Sequence, residues 1–268
     1  MDDRYFGSEA TAAMMRRSAM LQRIVADNPR MAWYGRAVAV AGYAPGDFPL
    51  LEALARLQGV GLAYWVPIDE SDALQQALKE AGLKSDRFEC VANTTPCVDR
   101  ARALLDQTPL PQDIEVLRIG KDSPDDDVAD FAELALSEGV LPPPEAVIRG
   151  FRRAGAFLLA RERSSGRAVS CATCIETYHP QSEYGDCAFW GMLSTVPDRR
   201  GERIALVLGA RAMVTMADEA GFKRFQTGVR ADNAASMALC AKLGLHPGTH
   251  TLIVAMDPAQ FGDERVTK

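Results

Sequence analysis

The alternation of apolar and polar positions divides the chain into strands and helices along most of its length. Residues 8–27 place Met14, Met15, Ala19, Leu21, Ile24 and Val25 on one side of a helix, which Asn28-Pro29 ends. A short strand over 36–42 and a helix over 50–57, capped by Gly59, come next. The apolar run 60–66 reads as a buried strand. Ser71 has the chemistry of an N-cap for a helix that closes at Gly82, and 87–92 is a further strand. Residues 36–92 thus alternate β, α, β, α, β, as an α/β layer does. A loop over 93–97 and a short helix over 98–105 lead to Thr108-Pro-Leu-Pro-Gln112. Two prolines and the loss of periodicity make this stretch the best domain boundary. The pattern predicts a smaller α/β domain over 1–112 and a second domain over 113–268.

The second part opens on an alternating strand at 114–119. A helix follows Ser123, with Asp125, Asp126 and Asp127 on its first turn. The stiff Leu141-Pro-Pro-Pro144 leads to a helix over 145–153. Strands over 156–161, 168–178 and 187–195 form an antiparallel set, with a hairpin turn at Ser164-Ser-Gly166 and a polar loop over 179–186. A long apolar helical stripe runs from Ile204 to Met216. A strand over 224–229, a helix over 234–243 capped by Asn233 or Asp232, and a last strand over 249–256 complete the pattern. The tail after Asp257 is polar and reads as the end of the fold. The class is mixed α/β (α+β).

Composition narrows the picture without changing it. The 268 residues are 47% hydrophobic and 25% charged, enough to bury a core without disulfides or metals. A net charge of −6 argues against nucleic acid or an anionic membrane as the main partner. No run approaches the roughly 18 apolar residues of a spanning helix, and the first residues lack an apolar signal core. A cytoplasmic protein is expected. The six cysteines are dispersed, as reduced thiols are. Cys171-Ala-Thr-Cys174 has zinc or redox spacing, yet inside a strand its thiols point to opposite faces, so no metal site is expected.

Candidate chemistry concentrates in Gly191–Met216, GMLSTVPDRRGERIALVLGARAMVTM. Pro197 stops a strand. Asp198-Arg199-Arg200-Gly201 is a basic turn, and a helix opens just after it. Free N–H groups and the macrodipole make such a start an anion site. The same residues would also serve an ordinary strand-to-helix connection with solvated arginines.

Three pieces in order then resemble the GCN5-related N-acetyltransferase (GNAT) superfamily over about residues 113–257. Leu193-Ser-Thr-Val-Pro197 is similar to the family's fourth strand, which splays and exposes backbone groups. Arg200-Gly-Glu-Arg-Ile-Ala205 is similar to its pyrophosphate loop R-G-x-G-x-G/A. The stretch from Asn233 to Leu245, NAASMALCAKLGL, is similar to its N-x-x-A-x-x-L-Y-x-K-x-G-F helix. Two positions depart from the pattern. Arg203 stands at the loop's second glycine, so the backbone there is either right-handed or strained. Cys240 stands where the family has the tyrosine that protonates the leaving thiolate, and it reads as a proton donor or as a buried structural thiol.

The resemblance implies a mainly antiparallel sheet flanked by helices, and acyl transfer from acetyl-CoA or another acyl-CoA to an amine in a ternary complex. It implies pyrophosphate on Arg200, Gly201, Glu202, Arg203, Ile204 and Ala205. Pantetheine would lie along Leu193, Ser194 and Thr195, with an oxyanion donor near Leu193 and a cofactor contact from Asn233. Catalytic candidates are Cys240 and, as base, Glu176, which faces the cleft or solvent according to one residue of register. His179, Glu183 and Asp186 are further candidates for the base, and Tyr178, Phe189 and Trp190 for the acceptor pocket. The alternative in a different class is a catalytically weak or inactive acyl-CoA-binding sensor. A homodimer is compatible with either reading.

In residues 1–112, ALQQALKEAGL at 73–83 echoes the helix before Gly244-Leu245. That echo fits a degenerate second copy of the fold and equally an ordinary helix end.

Overall fold

The computed structural model describes residues 3–93 and 96–262. In chain order the first part holds α1 (Glu9–Val25), β1 (Met31–Ala32), β2 (Ala39–Val40), α2 (Phe48–Gln58), β3 (Val60–Pro67), α3 (Ile68–Glu80), β4 (Lys84–Asn93) and α4 (Cys97–Gln107). The second holds β5 (Ile114–Ile119), α5 (Asp125–Ser137), α6 (Glu145–Ile148), β6 (Gly155–Glu162), β7 (Ala168–Glu176), β8 (Cys187–Thr195) and α7 (Ile204–Ala220). It ends with β9 (Arg224–Val229), α8 (Ala234–Lys242), β10 (Leu245–Met256) and α9 (Pro258–Phe261).

All ten strands join one sheet in the order β1-β2-β3-β10-β4-β9-β8-β7-β6-β5. Only β2–β3 and β8–β9 pair parallel, so the fold is a mixed α/β one with a large, mainly antiparallel sheet flanked by helices. Strands β3 and β4 of the first part do not pair with each other. β10 lies between them, antiparallel to both, and the other edge of β4 pairs with β9. The chain on either side of residues 108–112 is therefore hydrogen-bonded into a single sheet.

Helix α7 lies over the second half of the sheet. Its Leu208, Ala212, Met213 and Met216 share a core with Phe225 of β9, Trp190 of β8 and Ala101 of α4. On the opposite face, Phe131 of α5, Phe157 of β6, Tyr34 and Phe189 share another. Cys171 belongs to that core and Cys174 to the first, on opposite faces as strand alternation requires.

Several elements differ from the pattern in the sequence. Ser71 does not cap α3, which already begins at Ile68 behind Pro67. The Ser71 hydroxyl lies inside the helix and donates back to the Pro67 carbonyl at 3.0 Å. The helix expected over 145–153 is one turn long, because Gly150 takes φ 76° and turns the chain away. The 36–42 strand shrinks to two residues. β10 starts four residues early at Leu245. The tail does not end the fold at Asp257, since α9 buries Phe261 against Met14 and Val60. Thr94 and Thr95 of the expected 93–97 loop, and residues 263–268, lie outside the described residues.

One irregularity occurs twice. In β8 three steps, from Gly191 to Ser194, oppose two in β7, and Met192 takes φ 53°. In β3 three steps, from Ala63 to Val66, oppose two in β10, and Trp65 takes φ 54°. Each is a β-bulge in a strand that leads to a helix. The order β3-α3-β4-α4-β5 also matches β8-α7-β9-α8-β10, which fits an N-terminal copy. The first unit passes directly from Pro67 into its helix, whereas the second inserts residues 196–203.

Candidate active site

Strands β8 and β9 pair only through Cys187–Phe189 and Arg224–Gln226. Beyond Phe189 they separate, and the gap opens into a cleft of about 850 Å³. The cleft wall holds Leu193, Ser194 and Thr195 of β8, Arg200 and Ala205 of the loop and α7, and Asn233 and Cys240 of α8. The structure therefore brings together the pieces that are far apart in the sequence.

Each piece has a physical reason for its place. The bulge at Met192 twists β8 out of register, and its edge toward β9 has no strand partner beyond Phe189. Backbone amides on such an edge can pair with an extended ligand. Pro197–Arg199 forms one 3-10 turn, and Gly201 takes φ 88°, a conformation that suits glycine. Arg203 follows with φ 63°, so the strained alternative for this residue is the one the chain adopts. Helix α7 then starts with no side-chain cap and no acid on its first turn. Its first N–H groups, with the macrodipole behind them, are left to an anion. By contrast Ser8 caps α1, and Asn233 caps α8 by accepting the Ser236 N–H at 3.0 Å. That leaves the Asn233 amide NH₂ for a ligand.

Charges around the loop are ordered. Arg199 turns away from the cleft and pairs with Asp113, Glu162 and Glu202. Arg200 lines the cleft, donates to the Thr195 carbonyl at 3.2 Å, and pairs with Glu138 at 2.5 Å. Gly201, Glu202, Arg203 and Ile204 complete the loop but do not line the cleft with side chains. Ile204 is buried in the core instead. Cys240 is 3% exposed, and burial pushes its thiol up to about 11.

Glu176 is not among the residues that line the cleft. Its carboxylate accepts the Ala154 N–H at 3.1 Å and pairs with Arg153. His179, Glu183 and Asp186 lie outside as well. The His179 Nδ1 accepts the Gln181 N–H, and Asp186 is held by Arg224. Phe189 and Trp190 do reach the cleft. Tyr178 does not: it is buried, and its hydroxyl accepts the Trp65 indole N–H at 2.9 Å.

The rest of the lining comes largely from elsewhere. Tyr34 and Arg36 from the β1–β2 connection, Tyr64 from β3, Asp86 and Phe88 from β4, and Glu138 after α5 all line it. No motif marks them, because they meet only through the topology. Among the described residues no group of three His, Cys, Asp or Glu side chains is placed to hold a metal ion, and no helix is long and apolar enough to cross a membrane.

Residues 126–245 match the model of the acetyltransferase (GNAT) family. The GNAT fold goes with acyl-CoA-dependent acetyl transfer in general. Solved structures share the fold at low identity. A GCN5-related N-acetyltransferase from Kribbella flavida is 16% identical with a TM-score of 0.55, over 92% of this chain and 95% of that one. A tandem GNAT protein from the clavulanic acid biosynthesis pathway is 16% identical with a TM-score of 0.54, over 81% and 74%. A GCN5-related N-acetyltransferase-like protein from Streptococcus suis is 15% identical with a TM-score of 0.52, over 92% and 99%. No curated relative matches the sequence.

Proposed function

We propose that the protein is an N-acetyltransferase that transfers the acetyl group of acetyl-CoA to an amine by direct attack in a ternary complex. The observation that carries this reading is the shared cleft. An uncapped helix start with Arg200, an unpaired strand edge and the free amide of Asn233 all open onto one space. The N–H groups of the loop and first turn of α7 hold the pyrophosphate. The β8 edge pairs with the pantetheine amides, and a backbone N–H near Leu193 donates to the thioester oxygen as charge develops there.

The amine lone pair attacks the thioester carbonyl carbon. A C–N bond forms, the C–S bond breaks, and the electron pair leaves on sulfur. Three carboxylates line the cleft. Glu138 is held by Arg200 and Asp232 by Arg230, which leaves Asp86 to take the proton shed by the amine. A proton from water then neutralises the thiolate. Cys240 is poorly suited to that last step, because a thiol near 11 is a weaker acid than an ordinary thiol of about 8.5. The same fact favours the second reading, an acyl-CoA sensor with little or no turnover.

Calorimetry with acetyl-CoA, run beside a thiol-release assay over a panel of amines, separates the two. The expected result is binding, release of CoA with at least one amine, and affinity about tenfold weaker in Arg200→Ala. Binding without release from any amine selects the sensor. No binding removes both.

A further inference from the structure

Among the described residues Arg36 is the cleft-lining arginine without a carboxylate partner. Its guanidinium lies over the ring of Tyr34, 5.4 Å from the centroid. Tyr34 stacks on Phe189 of β8, with centroids 4.7 Å apart and planes 5° apart, and shares a hydrogen bond with Tyr64. The stack fixes the cation against the wall that runs on into the Met192 bulge. The other two cleft-lining arginines have carboxylates, Glu138 for Arg200 and Asp232 for Arg230. Arg36 has no ion pair among the described residues. Its Nε and Nη2 are shielded from solvent and have no hydrogen-bond partner among the described residues.

A guanidinium remains charged at any physiological pH, and desolvating it without an anion is costly. A planar fork already stacked on an aromatic ring is prepared for a carboxylate. The anion demand of CoA falls at the start of α7 and on Arg200. Arg36 instead belongs to the wall built by the first part of the chain, with Tyr64, Phe88 and Asp86. Asp86 also has no ion pair among the described residues and is not paired with Arg36. Among the described residues the cleft therefore presents one free positive and one free negative group.

We infer that the acceptor is a small amino-carboxylate, a molecule bearing both a free amine and a carboxylate, whose carboxylate docks on Arg36 while its amine is directed to Asp86. This inference rests on the N-acetyltransferase reading for the fate of the amine, but the carboxylate site is tested apart from it. The full chain, with and without saturating CoA, is titrated calorimetrically with the standard amino acids. Each is paired with the amine that lacks its carboxylate. At least one amino acid is expected to bind, and its decarboxylated partner to bind about tenfold more weakly or worse. Arg36→Gln is expected to abolish that difference and leave acetyl-CoA affinity unchanged. Should that variant fail to fold, the methyl ester of the bound amino acid, titrated into the unaltered protein, is expected to lose binding in the same way.

The inference is overturned if no amino acid binds, if the decarboxylated amines or esters bind as well, or if Arg36→Gln weakens acetyl-CoA instead. A protein that discriminates the carboxylate yet does not bind acetyl-CoA overturns the transferase reading and leaves the carboxylate site standing.

Discussion

Arg203 carries the clearest conflict between side chain and backbone in the cleft loop. An L-residue in the left-handed region costs about 1–2 kcal/mol, and glycine avoids that cost. At φ 63° Arg203 bears it, although the loop pattern offers glycine at this position. Its exposed side chain forms no ion pair among the described residues. The strain is expected to show in a pair of variants. Arg203→Gly is expected to be more stable than Arg203→Ala by about 1 kcal/mol, the reverse of the order inside a helix. Chemical denaturation of the two variants checks this, and an alanine variant as stable as the glycine one would remove the strain. Met192 and Trp65 are the other non-glycine residues with positive φ among the described residues, and both sit in bulges. The strained positions thus mark strand-to-helix passages in both parts of the chain.

At the scale of elements, the loop before α7 is held by charges that point away from the cleft. Arg199 and Arg167 both bind Glu162 at the end of β6, and Arg167 also binds Asp198 in the turn. Hydrogen bonds from Arg167, Ser165 and Arg199 hold the Glu162 carboxyl at about 2, below its ordinary 4.5. Because the folded value is the lower one, the stabilisation is complete above about pH 4.5 and is lost as the pH falls toward about 2. Glu162→Gln is therefore expected to melt below the unaltered protein at pH 7, with the gap narrowing from about pH 4.5 downward. Thermal melts across pH test this, and a gap constant down to the acid limit would take Glu162 out of the anchor. The β8, loop and α8 side of the cleft was legible in the sequence because contiguous stretches carry it: Leu193–Thr195, Arg200–Ala205 and the Asn233 helix. Periodicity also placed nearly every strand. It misplaced the start of α3 and the length of α6, where a side chain's local hydrogen bond or a single glycine decides the boundary. The rest of the lining was illegible because Tyr34 and Arg36, Tyr64, Asp86 and Glu138 come from four separate segments, and Glu176 was a matter of register that its ion pair with Arg153 decides.

At the scale of the whole molecule, the linker at 108–112 marks a change of pattern along the chain, while the hydrogen bonding of the sheet crosses it. β4 fills the gap between β9 and β10, and α4 packs on α7, where Arg102 pairs with Asp218. Residues 113–268 alone would expose both edges of β10, one edge of β9 and the side of α7 that α4 covers. That fragment is expected to be insoluble or unfolded by circular dichroism, and co-expression with residues 1–112 is expected to recover it. A soluble, acetyl-CoA-binding fragment would count against this. The position of β10 also bears on how the protein is made. Neighbours β3 and β4 are synthesised early, but the strand that joins them is the last of the ten to leave the ribosome. Until then both have open edges, so nascent chains stalled before residue 245 should be the species that chaperones hold.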